Sequence, residues 1–112
     1  MTRTKNDNLQ GSLALLVLKS LEQGPMHGWG ITLHIQHISN EVLRVEEGSL
    51  YPALHRMEQD GWIVSEWGQS ENNRRARFYK LTALGQRELA AERENWRKIT
   101  NAVGLVLGFE KA

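Results

Sequence analysis

A chain of 112 residues suits one small domain with at most one appended element, and a hydrophobic share of 40% argues against disorder. There is no cysteine, which excludes a disulfide framework, a thiolate nucleophile and a cysteine-based zinc site; the longest apolar run, Leu13 to Leu18, is six residues, where a membrane span needs roughly 20. The formal net charge of +1 hides an uneven distribution: Arg74, Arg75, Arg77 and Lys80 fall within residues 72–80 without an acid, while residues 46–70 carry Glu46, Glu47, Glu58, Asp60 and Glu66 against Arg56 alone.

The polar start, MTRTKNDNLQ, lacks the cationic-then-apolar pattern of a signal peptide. A soluble, cytoplasmic protein without a membrane partner is the expectation. Over residues 12–23 Leu13, Leu16, Val17 and Leu21 recur at helical spacing, with Leu15 and Leu18 widening the stripe. This predicts a first helix, capped by Ser12 and stopped by Gly24-Pro25. A second helix is predicted over 28–38, with Trp29 and Leu33 and, less regularly, Ile31, Ile35 and Ile38 on its apolar face. Gly30 in its interior costs about 1 kcal/mol against alanine. Residues 39–48 read as a connector with a short extended piece over 42–45.

The stretch GSLYPALHRMEQDG predicts a third helix over 49–60. Ser49 is a good N-cap, and Pro52 would be the third helical residue, where a backbone N–H has no helical partner to lose. Leu50, Leu54 and Met57 form its buried face, and Gly61 ends it in a left-handed cap. Two strands follow, over 62–67 and 77–82, joined by the turn-rich GQSENNRRA as a hairpin with a long loop. Tyr79 and Leu81 share one strand face and cover the helices. A long helix over 83–107, capped by Thr82, completes the chain. Leu89, Trp96 and Val103 are seven apart, and Ile99 and Val106 stand at the complementary heptad positions, with Glu92 as the one flaw in the seam.

This order of elements defines a mainly α (α+β) fold: a winged helix-turn-helix with a two-stranded β-wing over residues 1–82, and a C-terminal dimerisation helix and tail over 83–112. A short helix with a polar face, a hairpin after it and positive charge at the hairpin tip together point to DNA. The stretches LQGSLALLVLKSL (9–21), GPMHGWGI (24–31), EEGSLYPALHRMEQDGWI (46–63) and RRARFYKLTALG (74–85) resemble the PadR family of winged-helix transcriptional regulators. They cover most of residues 9–85, and the short remainder resembles the subgroup with a single C-terminal helix. One departure is Gly28-Trp29-Gly30, where the family commonly carries Gly-Tyr-Glu. The resemblance implies a homodimeric DNA-binding repressor that leaves a pseudo-palindromic operator when a small molecule or stress signal arrives.

On that reading the helix over 49–60 is the recognition helix. Ser49 and the free N–H groups beside it receive a phosphate, Tyr51 and Pro52 offer apolar surface to a thymine methyl, and His55 reaches a base or phosphate one turn on. The competing reading of Tyr51 is packing against the second helix or the wing. Arg74, Arg75 and Arg77 are the wing contacts, since a guanidinium makes paired, charge-assisted bonds to phosphate, and the competing reading is a solvated loop. Asn72 and Asn73 shape the turn, which places Asn73 beside the arginines on DNA. Glu46 and Glu47 suit a helix dipole but repel phosphates.

In the last helix Leu89, Trp96, Ile99, Val103 and Val106 are the expected dimer interface, with packing against the first helix as the alternative. In some relatives of the resembled family an aromatic residue of this helix lines an inducer pocket, which makes Trp96 the candidate for a small aromatic effector. An enzyme is disfavoured. His34 and His37 have metal-ligand spacing without a third ligand, and no serine sits in a nucleophile elbow. No catalytic residue, metal or cofactor is expected. The remaining rival is a winged helix used only for protein contacts.

Overall fold

The computed structural model describes residues 5–109, with side chains from residue 12 onward. The first helix, α1, spans Lys5–Leu21 and so begins seven residues ahead of its predicted start; Ser12 lies inside it and is not its cap. Leu13, Val17, Leu18 and Leu21 are buried, whereas Leu15 and Leu16 pack at the edge of the core. The chain then turns at Gly24 and pairs a two-residue strand, β1 (Met26–His27), with a later strand. Two residues carry no periodic signal, so this strand is invisible in the sequence.

The second helix, α2, is Gly28–Ile38, as predicted. His27 caps it: its Nδ1 accepts from the Gly30 N–H at 3.0 Å. Its buried stripe is Gly28, Ile31, Thr32 and Ile35. Trp29 and Leu33, predicted to lead the apolar face, lie about 110° and about 150° round the helix from the middle of that stripe and are 55% and 45% exposed. The connector has no strand over 42–45. Asn40 and Glu41 take left-handed φ values of 55° and 69°, and Val45 alone turns fully into the core.

Helix α3 is Glu47–Gln59, with Glu46 at the N-cap position and no side-chain cap. Its first helical bond runs from the Leu50 N–H to the Glu46 carbonyl at 2.9 Å. The start lies two residues ahead of the prediction, so Ser49 is not a cap and Pro52 is the sixth helical residue. The proline therefore does remove one helical bond, to the Gly48 carbonyl. Gly48 and Pro52 are both exposed, so water can serve that carbonyl. Leu50, Leu54 and Met57 are buried as expected. Gly61, at φ 81°, ends the helix in a Schellman arrangement: its N–H bonds the Glu58 carbonyl and the Trp62 N–H bonds that of Met57, both at 3.0 Å.

Strands β2 (Ile63–Gln69) and β3 (Arg75–Leu81) pair antiparallel, from Ile63↔Leu81 to Gln69↔Arg75, and β1 lies on the other edge of β3. The expected two-stranded wing is thus a three-stranded sheet at its base, and its strands run further toward the tip than predicted. Helix α4 is Ala83–Leu107, as predicted, with Thr82 accepting from the Gly85 N–H at 3.0 Å. Leu89 is 3% exposed and belongs to the core cluster with α1, α2 and α3. The sequence placed it in a seam between chains; within one chain it is already buried. Beyond it the helix leaves the body, and Trp96, Ile99, Val103 and Val106 are exposed.

At Gly85 a Cβ would overlap the Trp62 carbonyl and stand 3.1 Å from Leu81 Cδ2. Because a backbone carbonyl pinned in a turn cannot swing aside, Gly85→Ala should cost about 1–3 kcal/mol, read as a lower melting temperature in thermal denaturation.

Candidate nucleic-acid interface

Strand alternation assigns the wing its two faces. The register puts Ser65, Trp67 and Gln69 opposite Tyr79, Arg77 and Arg75. Tyr79 is buried against the helices, so Trp67, Arg75 and Arg77 occupy the helix-facing side of the wing. The Arg75 guanidinium lies 4.6 Å from the Trp67 ring centroid and that of Arg77 5.5 Å, both within cation–π range. Arg77 Nε donates to Ser65 Oγ at 2.8 Å, and Ser65 Oγ donates to Glu58 Oε2 of α3 at 2.6 Å. This chain of bonds ties the wing to α3 through one serine.

The tip is a tight turn. Ser70 N–H bonds the Arg74 carbonyl at 2.8 Å, and Asn73, at φ 64°, donates its N–H to the Ser70 carbonyl at 2.9 Å. A left-handed conformation suits asparagine, whose short polar side chain tolerates it. Asn73 therefore has the turn-shaping place expected of it, with Arg74 and Arg75 exposed directly after it.

On α3 the predicted contacts divide between two faces. Tyr51 and His55 are exposed one turn apart. Ser49 and Pro52 turn toward α1, where they line a depression of about 300 Å³ with Leu13, Ala14, Arg56 and Trp62. Tyr51 has the packing against α2 that was its competing reading, and keeps an exposed edge. It is 44% exposed, yet its ring lies against α2 so closely that a Cβ on Gly28 would stand 2.8 Å from its Cζ. Partial burial, and then the Glu47 carboxylate, push its phenol above the ordinary value, so it is a neutral hydroxyl at pH 7. Tyr79 is raised in the same direction by burial first and by Glu58 next.

A cleft of about 1000 Å³ opens between the first turns of α2 and the wing. Tyr51, Arg74, Arg75 and Arg77 line it together, joined by Trp29 and Trp67. Neither tryptophan is singled out by sequence reasoning, which reads Trp29 one phase off, as core, and Trp67 as the end of a strand. The available signal is the alternation on β2, which sets Trp67 on the same face as Ser65 and opposite Arg77. Trp96 lies outside this cleft and outside the depression beside Ser49; on one chain it is a 43% exposed residue of a free-standing helix. Among the described residues no three His, Cys, Asp or Glu side chains gather as metal ligands, and no helix is long and apolar enough to cross a membrane.

A helix-turn-helix whose second helix is followed by a basic-tipped hairpin is a winged-helix DNA-binding fold. The family profile described as "Transcriptional regulator PadR-like family" matches residues 17–91. A transcriptional regulator of Mycobacterium tuberculosis is 32% identical over 94 residues, 84% of each chain. A solved transcriptional regulator from Clostridium thermocellum superposes with a TM-score of 0.77 at 28% identity, covering 94% of this chain and 99% of that one. A PadR family regulator from Clostridium difficile gives 0.71 at 29% identity, covering 87% and 99%. The chain belongs to the PadR-like family of transcriptional regulators, a family of regulators and not of enzymes.

Two substitutions test the packing of the site. Ser65→Ala removes both bonds of the Glu58–Ser65–Arg77 chain and should cost about 1 kcal/mol, or a melting temperature lower by about 4 °C. Gly28→Ala should destabilise less than Gly85→Ala in the same assay, because the half-exposed Tyr51 ring can swing toward solvent.

Proposed function

We propose that this regulator is a homodimeric, sequence-specific repressor of double-stranded DNA, released from a pseudo-palindromic operator by a small-molecule or stress signal. The observation that carries the DNA contact is the shared cleft, in which Tyr51 of α3 and the three wing arginines face one space. Arg74 and Arg75 at the tip take phosphates, or one of them enters the minor groove. Arg77, held at the base by Ser65, fixes the wing's angle and lends its charge. Tyr51 and His55 present the exposed stripe of α3 to the major groove, with Pro52 at its edge; Ser49, about 160° round the helix from Tyr51, turns toward α1 and is given no contact. Glu46 and Glu47 at the start of α3 oppose a phosphate there. The phosphate contacts are therefore given mainly to the wing. A DNA partner accords with a cytoplasmic protein.

Dimerisation is assigned to α4. Trp96, Ile99, Val103 and Val106 follow the heptad spacing and are 43–85% exposed, a stripe that a second copy of the helix covers. Leu89 supports that helix from within its own chain. Two-fold symmetry then sets the half-sites about one DNA turn, ~34 Å, apart. An effector pocket at Trp96 requires the partner helix to supply its other wall.

The test is fluorescence anisotropy against DNA from just upstream of the protein's own gene, beside a scrambled fragment, over a range of salt. Specific binding is the expected result; no DNA binding even at low salt would leave a protein-contact module. Arg74→Gln with Arg75→Gln should lower the salt slope of log K by about 0.9 for each phosphate that is no longer neutralised. Tyr51→Phe, which keeps the ring, should weaken binding about fivefold, as one net hydrogen bond of about 1 kcal/mol does, with the melting temperature little changed. Trp96→Glu with Val103→Glu should give a folded monomer by light scattering.

A further inference from the structure

One acid stands on the stripe of α3 that carries Tyr51 and His55. Tyr51, His55 and Glu58 are spaced four and then three residues apart, so the three lie within about 60° of one another round the helix. A carboxylate there repels phosphate, yet its oxygen is turned toward the wing. Glu58 Oε2 accepts from Ser65 Oγ at 2.6 Å, and Ser65 Oγ accepts from Arg77 Nε at 2.8 Å. Glu58 and Arg77 thus meet through the serine and not as a direct ion pair.

The directions of these bonds are forced, because an ionised carboxylate only accepts and a guanidinium only donates. The single hydroxyl proton of Ser65 goes to Glu58, which turns a lone pair toward Arg77. A direct pair would draw the guanidinium onto α3 and occupy its terminal nitrogens. Held by Nε instead, Arg77 keeps both terminal nitrogens for a phosphate. The Trp67 ring, with its centroid 5.5 Å from the guanidinium carbon, supports the same orientation from the side.

We propose that Glu58 and Ser65 are positioning residues for DNA recognition: together they hold the Arg77 guanidinium at a fixed offset from the Tyr51–His55 stripe, so that the phosphate taken there sets the register in which α3 meets the base edges. The role rests on the reading that α3 and the wing meet DNA. Phosphate contacts carry no sequence information themselves; they fix register and orientation. A mobile guanidinium still finds a phosphate on any duplex, so non-specific attraction survives loss of the bond chain. The specific complex needs the wing and α3 contacts at once, and it is the one that suffers. The charge of Glu58 weakens binding to every duplex alike, while its bond to Ser65 favours the right one.

The test is a ratio of affinities, measured by fluorescence anisotropy. One duplex is selected by the full chain from a random-sequence library, and the other is its scrambled counterpart. The fraction of folded protein scales both affinities alike, so a variant that is only less stable leaves the ratio unchanged. Ser65→Ala and Glu58→Ala should each lower the ratio about fivefold, the factor for one net hydrogen bond. Glu58→Gln loses the same charge as Glu58→Ala but keeps an oxygen that accepts from Ser65, and should hold the ratio within about twofold. With Arg77→Ala already in place, Ser65→Ala should change the ratio by less than about twofold, since residues that act through one another are not additive. An unchanged ratio in Ser65→Ala, an equal loss in Glu58→Gln and Glu58→Ala, or the same Ser65→Ala loss with and without Arg77 would overturn the positioning role. Failure of the unaltered protein to enrich or bind any duplex would overturn the DNA reading itself, and that result is read before any substitution is made.

Discussion

The junction around Thr82 governs how the recognition helix, the wing and the long helix stand to one another. Its hydroxyl donates to the Gly61 carbonyl at 2.6 Å and accepts from the Gly85 N–H at 3.0 Å, and its own N–H bonds the Trp62 carbonyl at 3.1 Å. Gly61 ends α3, Trp62 directly precedes β2 and Gly85 lies in the first turn of α4, so one residue fastens three elements. Gly85 completes the contact from the other side, since only a residue without a Cβ lets α4 approach the Trp62 carbonyl. The register of the hairpin follows, because Ile63↔Leu81 is the first pair outward from this junction. Every position on the wing is counted from there.

The wing's functional face is a product of that register and of charge placement. A one-residue slip of β3 would turn Arg75 and Arg77 outward, away from Trp67, and send Phe78 inward. Phe78 instead packs on the outer face, edge-on to His27 with centroids 5.2 Å apart, and close over Gly68. His27 also caps α2, so the outer packing of the sheet and the start of α2 share one imidazole. On the inner face Glu58 reaches Arg77 through Ser65, a bond chain at the surface whose energy is modest and whose directional value is larger. It sets where a mobile guanidinium spends its time, and so where positive charge meets a phosphate or an anion.

The arrangement of apolar residues separates the body from the arm. Among the described residues, thirteen apolar side chains from every long element form one core, ending on α4 at Leu89. After that residue α4 has no body to cover it, although its apolar spacing continues. The same heptad pattern thus serves two purposes in succession, first intramolecular and then on a face left open by one chain.

Much of this was legible in the sequence. The limits of α2 and α4, the Thr82 cap, the buried Leu50–Leu54–Met57 stripe, the left-handed Gly61 and the inward Tyr79 all follow from local rules whose partners lie within a few residues. Sequence patterns also separated the basic hairpin from the acidic stretch before it. What misled was anything that depended on phase or on a distant neighbour. Trp29 and Leu33 looked like core because they are apolar at helical spacing, yet the stripe that packs inward is Gly28, Ile31, Thr32 and Ile35, with Gly28 against the Tyr51 ring. Ser49 was placed at the cap by residue type, while the helix began earlier and turned it toward α1. Leu89 was placed between chains by its heptad position, though the body of its own chain covers it. The two-residue β1 and the cleft that joins Tyr51, Trp29 and Trp67 to the arginines are contacts between segments tens of residues apart. The sequence by itself therefore determined the elements, their order and the charges they carry, because those depend on local propensity and periodicity; only the tertiary structure decided which side of each element is inside, because that depends on which neighbour arrives.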